Sequence, residues 1–258
     1  MSISLTKSSI ELFSLDKRVL LPNLFRLFKP GKQDKNYPIE NTSEVKNNIN
    51  DLKLLAFFVI GFFPVTLIGL TAFDVASLKA LAISILVPAL IVIGILTYTC
   101  NDCRFILFKA VKIGVLATFG YDLFRWSFLW MGWMHVDPIP HIGSALGISP
   151  NWLAGYTWRY LGNGTGLALS FLVLRFRSIT AGLAYGLFVC SGLFTVLLFS
   201  PHGQEMLFPF TPPSIVMAVV GHLIYGALLA IILNRDAIQN WIIRSFMNFR
   251  ALKTEVSI

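Results

Sequence analysis

Six long apolar runs, separated by short polar or basic stretches, set the pattern of this chain: 54–73, 80–99, 113–132, 155–174, 180–199 and 214–233. An α-helix rises about 1.5 Å per residue, so about 20 apolar residues cross a hydrocarbon core about 30 Å thick. Each run has that length. The pattern predicts an all-α, polytopic membrane protein with six transmembrane helices. The fourth window carries Arg159 near its start. That side chain is expected just inside the outer interface, snorkelling toward the headgroups. Composition agrees, with 55% apolar and 13% charged residues, where an average soluble domain has about a quarter charged.

The basic residues give the expected orientation. Of the 21 Lys and Arg, all but Lys79, Arg125 and Arg159 lie before residue 54, within 100–112, within 175–179 or after residue 233. Those stretches share one face when both termini are cytoplasmic. Trp126, Trp130, Trp133, Trp152 and Trp158 then form an outer aromatic belt. The +8 net charge belongs to the cytoplasmic face, where anionic lipid headgroups are the expected partner. No nucleic-acid motif accompanies it, and nucleic acid is set aside. The start lacks a short apolar core followed by small residues, so no cleavable signal peptide is expected. The first run then reads as a retained helix.

Four regions follow: a basic amino-terminal segment (1–53), a two-helix hairpin with its cytoplasmic connection (54–112), a four-helix membrane core (113–233) and a basic tail (234–258). Residues 12–29 mix Leu and Phe with basic side chains, which suits an interfacial helix broken near Pro22. The first two windows carry little polarity and read as packing helices. Small residues recur at four-residue spacing in the last three: Gly162, Gly166 and Ser170; Gly182, Gly186 and Cys190; His222, Gly226 and Ala230. This spacing lets backbones approach in lipid, so these windows are expected to pack tightly within the subunit, in a homo-oligomer or against a partner subunit. A faint repeat pairs windows three and five, each running outward into a loop with Pro and His.

Ionisable residues inside spans are the first place to look for chemistry. Asp122 and Arg125 are three apart and share a helix face. Counting at about 1.5 Å per residue puts Arg125, Asn163 and His222 each about 12 Å below the outer boundary. With Asp122 and Tyr225 they define an expected buried polar layer. Two readings stay open: a structural ion pair latching the helices, or a proton or small-ion site in which His222 titrates near neutrality. Asn163 and Tyr225 read as hydrogen-bonding glue.

Outside the spans, "HVDPIPHIG" (135–143) raises a second question. His135, Asp137, His141, His202 and Glu205 all fall on the exoplasmic face. Imidazoles with a carboxylate make a set for a divalent metal such as zinc or copper. The spacing matches no established ligand motif. Pro138 and Pro140 suit a stiff loop over helix ends equally well. "CNDC" (100–103) is a lone CxxC without a second pair, read as reduced and inert. Cys190 reads as a packing residue.

"TPPSIVMAVVGHLIYGALLAIILNRDAIQN" (211–240), with "GVLATFGYDLFRWSF" and "LGISPNWLAGYTWRYLGNGTGLALSFLVL", resembles the YagU-like group of small bacterial inner-membrane proteins. The resemblance covers 113–240 and is carried by Gly221-His222-Leu223 and Arg235-Asp236. It implies a bacterial inner-membrane location, a link to acid tolerance and added weight for His222. Three functions follow as expectations. The first is a non-enzymatic membrane protein whose polar layer handles protons or a small ion. The second is a metal-dependent membrane enzyme acting at the exoplasmic face. The third is a scaffold or assembly subunit.

Overall fold

Helices form where the apolar runs dictate, but their ends follow capping chemistry. The structure, a computed structural model, describes residues 51–134, 137–176 and 178–255, with side chains described through Asn234. The basic segment before residue 51, its candidate interfacial helix and His135 lie outside the described residues. Most of those described are helical, with no strand among them.

The elements are α1 (Asp51–Ala72), α2 (Leu78–Thr99), α3 (Asn101–Trp130), α4 (Pro138–Leu146), α5 (151–173), α6 (Ile179–Phe199), α7 (Gly203–Met206) and α8 (Pro212–Glu255). Among the described residues, four helices are long and apolar enough to cross a membrane: α1, α2, α6 and the Pro212–Asn234 part of α8. Windows three and four fall in α3 and α5, which contain Asp122 and Arg125, and Arg159. These charges set the two apart from the other four windows, which carry none; a π segment occurs in α5 and also, over Ala82–Leu86, in α2.

Two boundaries differ from expectation. The connection expected over 100–112 is a single residue, Cys100, in extended conformation (φ −139°, ψ 110°), after which α3 begins at once. Residues 138–143 of the stretch expected as a loop, with or without a metal, belong to α4. Asp137 is its N-cap, accepting the Ile139 N–H at 3.0 Å. Pro138 occupies the first helical position, where a missing N–H removes no helical bond. Gly147, at φ 69°, closes α4 in the left-handed conformation that glycine adopts without a steric penalty. Sequentially, the Asp-Pro cap signal was present; the second proline concealed it.

Close packing also follows a different pairing. α5 lies against α1 through Gly61 and Gly166, and against α3 through Gly114 and Gly164. A Cβ at Gly61, Gly114 or Gly166 would collide with the facing backbone, and one at Gly164 with the Thr118 hydroxyl. Gly162 packs less closely, against Pro64 of α1, and the Ser170 hydroxyl donates to Phe58 O at 2.9 Å. Gly182 and Gly186 of α6 meet Gly226 and the His222 carbonyl of α8, and α8 also packs on α3. Windows five and six thus pair with each other, while window four pairs with one and three. Gly61 is the reason: it gives α1 a flat face that the glycines of α5 can enter.

The end of the bundle to which α3 leads is built by α4 and the start of α5. Gly143 meets the Asn151 backbone and Gly155 meets the Ile139 backbone, so the two helices touch main chain to main chain. Of the five tryptophans expected in a belt, Trp126, Trp130, Trp133 and Trp152 are exposed, whereas Trp158 is 7% exposed. It packs with Leu67, Leu78, Leu81 and Ile139 instead.

Candidate functional site

The α4–α5 crossing places Asp137, at the start of α4, beside Tyr156, the residue after Gly155. α3 brings Asp122 and Arg125 to the same place. Asp122 is 0% exposed and Arg125 1%, so each charge depends on its partners. Arg125 Nε donates to Asp122 Oδ1 at 3.1 Å, its Nη1 pairs with Asp137 Oδ1, and its Nη2 donates to the Tyr156 hydroxyl at 3.1 Å. That hydroxyl donates to Asp137 Oδ2 at 2.8 Å and accepts from Trp126 Nε1 at 3.3 Å. Arg159 closes the network, its Nε donating to Asp122 Oδ1 at 2.7 Å and its Nη2 pairing with the same oxygen. Two guanidiniums face two carboxylates. The formal charges cancel, which is the condition under which charges persist in a low-dielectric interior.

Arg159 therefore does not snorkel outward; it turns in to Asp122. The cause lies in α5. Between α-helical Asn151–Thr157 and Thr165–Val173 the chain is π-helical, over Trp158–Gly164. A π turn holds an extra residue and rotates the side chains that follow it, and such turns recur at functional sites. The Thr165 hydroxyl accompanies it, donating to Tyr160 O at 3.1 Å.

Of the five residues expected in one layer, Asp122 and Arg125 are in the network and three are not. His222 Nδ1 lies 2.7 Å from Ala218 O. Its ring meets Tyr121 edge to face at 5.2 Å, and the Tyr121 face in turn carries the Arg159 guanidinium at 4.6 Å. His222 thus reaches the network through an aromatic ring. The Tyr225 hydroxyl donates to Gly164 O at 2.8 Å, satisfying a carbonyl of the π segment. Asn163 Oδ1 is buried without a hydrogen-bond partner. Counting residues gives depth but not the direction a side chain faces.

Arg159, Asp137, Tyr156, Tyr121 and Trp126 were absent from the expected layer. One signal for them was available. An arginine inside a span needs a carboxylate, and Asp122 and Asp137 are the acidic residues between windows two and five beyond the helix start at Asp102.

The expected metal set is divided. Asp137 belongs to the network. His141, His202 and Glu205 line an open cleft of about 390 Å³ with Thr71, Asp74 and Met206. His202 Nδ1 stands 3.4 Å from Glu205 Oε2. Among the described residues, no three of His, Cys, Asp and Glu stand close enough together to hold a metal ion.

One atom of the network remains open. Asp122 Oδ1 serves both arginines, while Oδ2 is buried and closes no hydrogen bond; the Tyr160 side chain stands beside this carboxylate. Compared with known proteins, the chain matches no family model, no curated protein and no solved structure.

Proposed function

We propose that this chain is a non-enzymatic inner-membrane protein of six spans with both termini cytoplasmic, and that it handles protons or a small ion at the Asp122–Arg125–Asp137–Arg159 network. α3 and α5 join the four apolar helices as spans. The observation that carries the reading is Asp122: wholly buried, held on one oxygen by two arginines, closing no hydrogen bond on the other, and with the Tyr160 side chain beside the carboxylate. A buried acceptor left open is a place for a proton, a water or a cation.

The Asp137 side chain is 26% exposed and gives the network its entrance. A proton taken up there removes one negative charge and leaves Arg125 with a surplus positive one. Net charge is costly in this setting. The network therefore favours movement of a proton together with a small anion, which replaces the lost carboxylate charge at Arg125. The likeness to the YagU-like group, with its link to acid tolerance, points the same way. The scaffold alternative loses its basis in the glycine faces, since Gly166, Gly182, Gly186 and Gly226 are all covered within the chain.

The test uses full-length protein in liposomes with a trapped pH-sensitive dye and an external acid jump. In chloride, protein-containing vesicles should acidify faster than empty ones, and more slowly when a large impermeant anion replaces chloride. Asp137→Asn, which keeps a capping side chain, should reduce the rate at least tenfold. Equal rates for loaded and empty vesicles in both salts would overturn the proposal.

A further inference from the structure

Cys100 and Cys103 stand apart from the network, at the junction of α2 and α3. Cys100 is an extended residue leading directly into a helix, and its sulfur accepts the Cys103 N–H at 3.3 Å. The Cys103 side chain also donates to that sulfur. Both are covered, at 5% and 0% exposure, in a small apolar cluster with Phe57, Ile93, Ala110 and Leu169. Cys190 lies in the middle of α6 and has no such partner.

The sequence lacked the strand-to-helix context that a reactive CxxC needs. The structure supplies a local equivalent. The first sulfur sits where N–H groups converge at a helix start, with Lys53 acting on it electrostatically, and this is the environment that stabilises a thiolate. Burial raises both thiols. At Cys100, hydrogen bonds from the Cys103 side chain and N–H, together with Lys53 and the Asp102 N–H, outweigh it and bring the thiol below its ordinary value. Burial, with the Cys100 sulfur beside it, pushes the Cys103 thiol up to about 12. The two sulfurs are chemically unequal. One is prepared to attack, and the other holds its proton.

We propose that Cys100 and Cys103 form a redox-active dithiol that exchanges with low-molecular-weight disulfides, Cys100 attacking and Cys103 resolving. The Cys100 thiolate attacks one sulfur of RS–SR, whose S–S bond breaks to leave the Cys100–SR mixed disulfide and RS⁻. Cys103 then gives up its proton and attacks the Cys100 sulfur, expelling the second RS⁻. Each RS⁻ takes up a proton from solvent. The protein dithiol is oxidised by two electrons and RS–SR is reduced to two RSH. Because the sulfurs are covered, the one-residue junction must open for attack. The exchange therefore reports the state of the α2–α3 hinge. This inference does not depend on the ion-handling proposal.

The experiment uses full-length protein in a Cys190→Ala background, equilibrated with mixtures of reduced and oxidised glutathione. Thiols are trapped by alkylation and read by intact mass. The protein should pass from two free thiols to none without a bound glutathione. Cys103→Ser should retain one glutathione, and Cys100→Ser should react at least tenfold more slowly. At neutral pH a limiting alkylating reagent should label Cys100 at least tenfold faster than Cys103. Two thiols persisting in the most oxidising mixture, or equal labelling of both, would overturn the proposal. So would oxidation seen only after thermal unfolding.

Discussion

α6–α8 and α3–α5 are both close helix pairs, yet they are joined by different chemistry. α6 and α8 meet at Gly182, Gly186 and Gly226, main chain against main chain, with no charge between them among the described side chains. α3 and α5 begin the same way at Gly114 and Gly164 and then end in three formal charges, Asp122, Arg125 and Arg159, with Asp137 of the α4 cap as the fourth. Close packing in lipid is non-directional and fails by degrees as volume is added. A charge network fails at once when a member is lost, because the remaining partners stay buried. The first interface holds helices together. The second also sets which way each helix faces, and it is where the proposed ion handling is placed.

Removing one member should separate the two most clearly. Asp122→Ala leaves two guanidiniums facing one carboxylate, and the loss of about 3–5 kcal/mol for an unpaired buried charge should appear as little folded protein in detergent-based size exclusion. Gly226→Leu forces a side chain into the Gly182 backbone. It should cost about 1–3 kcal/mol, the range for overpacking, read as a lower thermal midpoint. Gly192→Leu serves as its control, since nothing lies within 4 Å of a Cβ there, and should leave the midpoint unchanged. Tyr156→Phe removes the hydroxyl shared by Asp137, Arg125 and Trp126. A loss of about 1.5–3 kcal/mol is expected for hydrogen bonds to charged groups. The smallest effect should follow His222→Leu, at most about 1 kcal/mol for one hydrogen bond, with proton uptake intact. A His222 variant that abolished uptake would move the site from α3–α5 to α8.

Much of the framework was legible in residue pattern. The apolar runs locate α1, α2, α6 and the first part of α8 closely, because twenty apolar residues in lipid leave helix as the solution. Asp122 and Arg125 pair as their three-residue spacing implies. Three things were hidden. α4 was masked by its prolines, although the Asp137–Pro138 pair is a helix start. The inward turn of Arg159 depends on the π segment, which has no hydrophobic period of its own. The pairing of α5 with α1 required Gly61 to be read as a partner for Gly166, and residues so far apart in sequence give no local sign of facing each other. Depth was countable; rotation about the helix axis was not.

The network acting as one charge-compensated unit is the claim on which the rest stands, and a double-mutant cycle on Asp122 and Arg159 tests it directly. Asp122→Asn, Arg159→Gln and the double variant would be compared by thermal unfolding in the same detergent. Removing both charges restores the balance of Arg125 with Asp137, so the double variant should be more stable than the sum of the single losses implies, with a coupling of about 2–3 kcal/mol, near the upper end for directly interacting pairs. Losses that add to within about 0.5 kcal/mol, as independent sites do, would contradict the account.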